Sequence, residues 1–87
     1  MVEDQIGVVV NFYAKPGVAA IKVTDGRIKK GDLLKYKGYT TDFTEEITTM
    51  EIERIPVDEA KAGDMVGVKV KERVREKDKV YKVVEQA

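Results

Sequence analysis

The chain contains neither histidine nor cysteine. Chemistry at neutral pH would therefore fall to carboxylates, lysines, tyrosines or a cation held by oxygen ligands. Carboxylates are plentiful in the middle of the chain, at Glu45, Glu46, Glu51, Glu53, Asp58 and Glu59. Their spacing matches no calcium loop and pairs no acid with a base, so the expected role is a charged surface that a basic partner protein would recognise. Gly26 to Leu33 reads GRIKKGDL, which has the glycine spacing of a phosphate-binding loop. Asp32, however, stands where a lysine must reach the phosphates, and Leu33 where a hydroxyl must hold Mg²⁺. The sequence thus predicts no catalytic residue, no metal, no cofactor and no nucleotide, and a protein that is not an enzyme.

Binding residues are easier to nominate. From Lys69 to Lys79 a basic residue recurs at every second position. In an extended chain these side chains share one face, and Lys71, Arg73, Arg75 and Lys77 become candidate contacts for RNA or a protein partner. The competing reading is the solvated outside of a strand, partly neutralised by Glu72, Glu76 and Asp78. Tyr39 and Phe43 fall in the polar segment from Gly38 to Thr44, where they would stack on an unpaired base, anchor a partner, or cap an open end of the fold. Tyr13, beside Pro16 and Gly17, is expected to pack at the rim. Basic and acidic residues balance at 16 each, which excludes a globally basic nucleic-acid binder. The signs are nevertheless segregated, basic over residues 22–37 and 69–82 and acidic over 39–64, so local patches remain. Ribosomal or other RNA, or a protein, is the expected partner, and a membrane is not.

The elements that must position these residues are strands. Ile6, Val8, Val10 and Phe12 alternate with other residues, as do Leu34 with Tyr36, Met50 with Ile52, and Val66 with Val68 and Val70. Residues 18–23 and 79–84 supply two more β-rich runs, and no segment carries a helix-length amphipathic pattern. Turn chemistry separates the runs, with Gly17, Gly26, Gly31 and Gly63 as the structural turn glycines and Gly38 closing a further run. Residues 56–61 read as one short helical turn. Six short strands without covering helices favour an antiparallel β-barrel, because closure removes exposed edges. The expectation is one all-β domain over residues 1–87, with its core between residues 6 and 84. The start is acidic at Glu3 and Asp4, and its apolar stretch from Ile6 to Val10 is too short for a signal peptide or a membrane span, which implies a cytoplasmic protein.

Two stretches carry a resemblance. Thr24 to Asp32 reads TDGRIKKGD and Met50 to Val68 reads MEIERIPVDEAKAGDMVGV, similar to the second, barrel domain of elongation factor Tu and its relatives. The matching residues are Gly26, Ile28, Gly31 and Asp32, then Glu51, Arg54, Asp58, Glu59, Ala60, Ala62, Gly63, Asp64, Val66 and Gly67. The resemblance implies a six-stranded barrel of the translation-protein type, with Ile28 as a buried plug, and a non-catalytic, elongation-factor-like module engaging RNA, the ribosome or a translation-linked protein. The family's pocket for the aminoacyl end of transfer RNA is not matched, since Gly7, Val8, Lys15 and Ala20 stand at the corresponding places. A second resemblance, carried by GVAAIKVTDG from Gly17 to Gly26, is to the C-terminal barrel of collagenase-like peptidases and to freestanding elongation-factor-like proteins. It implies the alternative function, a protein-interaction or substrate-positioning accessory barrel.

Overall fold

The structure is a computed structural model that describes residues 2–84. It is all-β: β1 (Val2–Tyr13), β2 (Val18–Val23), β3 (Arg27–Lys29), β4 (Leu33–Lys37), β5 (Asp42–Glu46), β6 (Met50–Ile52), β7 (Ile55–Pro56), β8 (Glu59–Lys61), β9 (Met65–Lys69) and β10 (Lys79–Val84). Eight strands form one antiparallel sheet in the order β5-β4-β10-β1-β2-β9-β6-β7, and β3 and β8 pair in a separate ribbon. Two expectations need correction here. Among the described residues there are ten strands instead of six, and the large sheet keeps two edges, β5 and β7, so no ladder there closes it into a barrel. Isolated backbone bonds from the turns beside the ribbon tie it to the sheet instead, such as Gly31 N to Ile47 O at 3.0 Å and Gly63 N to Val23 O at 2.8 Å.

β1 organises the fold because it pairs with β10 through its first half and with β2 through its second. Its register slips between Gln5 and Gly7 against β10, and between Val9 and Asn11 against β2. Each slip inserts a residue, bends the strand and changes which side chains face inward. Simple alternation from Ile6 is therefore broken: Val9 is buried, Val8 is half-buried and Val10 faces solvent. Gly7, at the first slip, lies so close to β2 that a Cβ there would stand 2.5 Å from the Lys22 carbonyl oxygen.

One core is built from the inward face of the sheet. Ile21, Val23, Leu34, Tyr36, Val66, Val68 and Val80 are buried from the sheet, and Ile28 and Ala60 plug it from the ribbon. The four turn glycines expected at positions 17, 26, 31 and 63 all have positive φ, between 62° and 100°. The helical turn expected at 56–61 is absent: β7 ends at Pro56 and Glu59–Lys61 is a strand paired with Arg27–Lys29. Its backbone bonds are better met by the ribbon than by one helical turn, whose carbonyls would find few partners.

Candidate functional site

A groove of about 480 Å³ opens on the outer face of β2 and β9. Its floor is made of outward positions where the sequence is small. Ala20 lies opposite Gly67 in the β2–β9 register, and Val18 stands beside them. Larger side chains at these positions would fill the depression, so the composition of the two strands creates it. Tyr13, at the end of β1, and Pro16, in the β1–β2 turn, rise on one side, and Met65 contributes a second apolar wall. Tyr13 and Met65 are 52% and 47% exposed, large apolar surfaces turned towards solvent around a concavity. This is the composition of recognition surfaces, which concentrate aromatic and methionine side chains.

The remaining rim is the turn between β6 and β7. Ile52 pairs with Ile55, leaving Glu53 and Arg54 as a two-residue loop, and both have positive φ, 52° and 67°. This geometry matches the twist of a hairpin, yet it normally selects Asn-Gly because side chains with a Cβ resist the left-handed region. Each of the two residues holds a conformation that costs roughly 1–3 kcal/mol. The strained turn lifts the Arg54 guanidinium and Glu53 carboxylate onto the groove's edge, with Glu51 on the adjoining strand. None of these three side chains belongs to an ion pair among the described residues. The site thus offers an apolar floor flanked by one cation and two carboxylates free to meet a ligand.

A second cleft, of about 430 Å³, lies where β4 ends and β10 begins, lined by Lys37, Gly38, Tyr39, Lys77, Lys79 and Tyr81. Tyr39 tops the tight β4–β5 turn, which Gly38 N closes onto Thr41 O at 2.8 Å, and its ring is fully exposed. Behind the cleft, the buried Asp78 carboxylate accepts a hydrogen bond from Arg75 N at 2.8 Å. That bond fixes a turn in which Lys77 takes φ 75°.

The expected basic stripe is taken apart by that turn. β9 ends at Lys69, the chain bends at 71–72 and reverses over 75–78, with Val70 and Val74 buried as anchors. Lys71, Arg73, Arg75 and Lys77 are all exposed, but they do not lie along one strand face. Only Lys77 joins the cleft, alongside Tyr39. Phe43 is corrected more sharply. It lies in β5 and not in a loop, half-buried and stacked on Tyr36 with ring centroids 4.9 Å apart, so it is part of the core's wall. Tyr36 itself is buried, and burial, reinforced by the Glu45 carboxylate, pushes its phenol well above its ordinary pKa.

Sequence reasoning missed Glu53, Arg54, Met65 and Ala20 in the groove, and Lys37, Lys79 and Tyr81 in the cleft. Glu53-Arg54 carries no glycine or asparagine to betray a left-handed turn, and the cleft depends on which strands become neighbours. Among the described residues no group of three or more acidic side chains is placed to hold a metal ion. No helix among them is long and apolar enough to cross a membrane.

No protein-family model matches the chain. An uncharacterized protease of Methanocaldococcus jannaschii is 45% identical over 78 residues, 88% of this chain and 19% of that protein. A collagenase of Porphyromonas gingivalis is 28% identical over 78 residues, again 88% of this chain and 22% of the relative. The chain therefore spans about a fifth of the length of the curated relatives it matches. Among solved structures, the C-terminal domain of a Geobacillus thermoleovorans protein assigned to the U32 peptidases superposes with a TM-score of 0.85 at 21% identity. That match covers 93% of each chain and shows a shared fold. These findings support the resemblance carried by Gly17 to Gly26 and overturn the translation reading, since the relatives are a protease and collagenases and not elongation factors. The short turn and strand motifs that suggested elongation factor Tu are scaffold features: Gly26, Gly31 and Gly63 serve positive φ, and Ala60 fills the ribbon's buried face.

Proposed function

We propose that this chain is a non-catalytic accessory domain, a small cytoplasmic all-β module that holds an extended polypeptide in the β2–β9 groove and positions it for a peptidase. The observation that carries the reading is the groove: small residues hollow out its floor, exposed Tyr13 and Met65 wall it, and a strained turn presents Arg54 and Glu53 on its edge. An extended peptide would lay apolar side chains over Ala20 and Gly67 while its polar groups met the charged rim, the division of labour expected of such a site. The kinship with a protease and collagenases supports a polypeptide as the ligand.

The test is to titrate the isotopically labelled chain with peptides from denatured collagen and follow its backbone amide resonances. Shifts should concentrate at residues 13–20, 51–54 and 65–67. Saturating shifts confined to other surfaces, or none at millimolar peptide, would refute the reading.

A further inference from the structure

The cleft between the β4–β5 turn and β10 has a feature the fold does not require. Lys37 and Lys79 are directly opposite each other in the β4–β10 register. Like charges facing across an antiparallel pair destabilise it. Lys77, held with φ 75° in the turn that leads into β10, adds a third positive charge to the same cleft. Among the described residues three lysines have a carboxylate partner, Lys30 with Asp58 at 3.5 Å, Lys35 with Glu3 at 3.4 Å and Lys82 with Asp32 at 3.4 Å. Lys37, Lys77 and Lys79 have no ion-pair partner among the described residues. The nearest buried carboxylate, Asp78, is committed to Arg75 N. Beside the three lysines stand Tyr39, fully exposed at the turn, and Tyr81, half-buried on β10.

We propose that this cleft is a second binding site, for an acidic polypeptide segment whose carboxylates bridge Lys37, Lys77 and Lys79 while an apolar side chain lies against Tyr39. The repulsion between the two cross-strand lysines is relieved when an anion sits between them. The patch is narrow. Asp42 lies opposite Lys37 in the β4–β5 register and Glu76 adjoins Lys77 in the chain. A phosphodiester strand, with a charge on every nucleotide, would run from the lysines onto these carboxylates, whereas a peptide with a short acidic run fits between them. The site rests on the polypeptide-holding reading only for the kind of polymer it takes, since it shares no residue with the first groove.

The test uses the whole chain and a fluorescent peptide carrying a short Glu-Asp run next to a leucine, followed by anisotropy at low and physiological salt. Binding should weaken with salt, and Lys79→Glu should reduce affinity by about tenfold or more, because a charge-assisted contact becomes a repulsion. The same variant places opposite charges across the β4–β10 pair, so its thermal midpoint should rise by roughly 1–5 °C. Tyr39→Ala, on an exposed turn, should weaken the peptide several-fold without changing the midpoint. Amide shifts caused by the peptide should fall on residues 37–39 and 77–81, whether or not collagen-derived peptides shift the other groove. Unchanged affinity in Lys79→Glu would overturn the proposal, as would shifts confined to residues 13–20 and 51–67. So would a single-stranded oligonucleotide that binds through the same lysines more tightly than the peptide.

Discussion

Gly38 and Asp78 should be energetically coupled, although they lie 40 positions apart in sequence. A Cβ at Gly38 would stand 2.6 Å from Asp78 Cγ, inside any real contact, and overlap the carboxylate. The carboxylate cannot yield freely, because it is buried and accepts the Arg75 N–H at 2.8 Å. Gly38→Ala must therefore displace it and forfeit a charge-assisted hydrogen bond, a loss of roughly 1.5–3 kcal/mol. Reduced freedom of the unfolded chain returns about 0.4–1 kcal/mol, leaving a net destabilisation of about 0.5–2.6 kcal/mol. Asp78→Ala should cost roughly 1.5–3 kcal/mol by losing the same bond. In the Asp78→Ala background the obstacle is gone, and Gly38→Ala should be neutral or stabilising by a few tenths of a kcal/mol. Urea denaturation of the four proteins at pH 7 completes the cycle, with an expected coupling of about 1.5–3 kcal/mol. Additivity within about 0.5 kcal/mol would show that the carboxylate does not occupy the space behind Gly38.

Raising the pH should expose the buried phenol of Tyr36. Its folded-state pKa is raised, so the native state keeps a proton that the unfolded chain releases above about pH 10. Stability is then intact below that pH and falls above it, by up to about 1.4 kcal/mol per pH unit; chemical denaturation across this range should show a shallower fall in Tyr36→Phe. Gly31→Val should destabilise by about 1–3 kcal/mol through backbone strain alone, since Gly31 has φ 93° and a Cβ there meets nothing within 4 Å; a thermal midpoint equal to wild type would contradict this. Replacing Glu53-Arg54 with Asn-Gly should stabilise the β6–β7 hairpin by about 1 kcal/mol or more, by relieving the left-handed strain, while weakening peptide capture in the groove. A variant no more stable than the parent, by calorimetry, would mean that the turn is not strained.

The strands whose side chains alternate between core and water were legible in the sequence. Leu34 with Tyr36 and Val66 with Val68 point inward as their spacing requires, and the four turn glycines occupy left-handed φ. β1 was legible as a strand but not in its phase, because two bulges shift the inward set to Val9. Residues 69–79 misled for a related reason. Alternating charge implies one shared face only if the backbone stays extended, and the Asp78 carboxylate, by capping Arg75 N, ends that extension. Nor does the sequence show that β3 and β8 leave the main sheet to form a ribbon, since pairing of such short strands is decided by non-local packing over Ile28 and Ala60. Of the residues nominated for binding, Tyr39 and Lys77 line one cleft, whose other members, Lys37, Lys79 and Tyr81, come from the β4–β10 pairing.

The claim that the β2–β9 groove holds polypeptide meets its most direct test in calorimetric titration of collagen-derived peptide into the wild-type chain and into Ala20→Arg. Ala20 is an outward strand position on the groove's floor, so a long side chain there fills the site without entering the core. The account predicts saturable binding to wild type and a loss of about tenfold or more in Ala20→Arg, equivalent to at least roughly 1.4 kcal/mol, with the thermal midpoint unchanged. Equal affinity in the two proteins, or no heat of binding to the wild type at millimolar peptide, would contradict it.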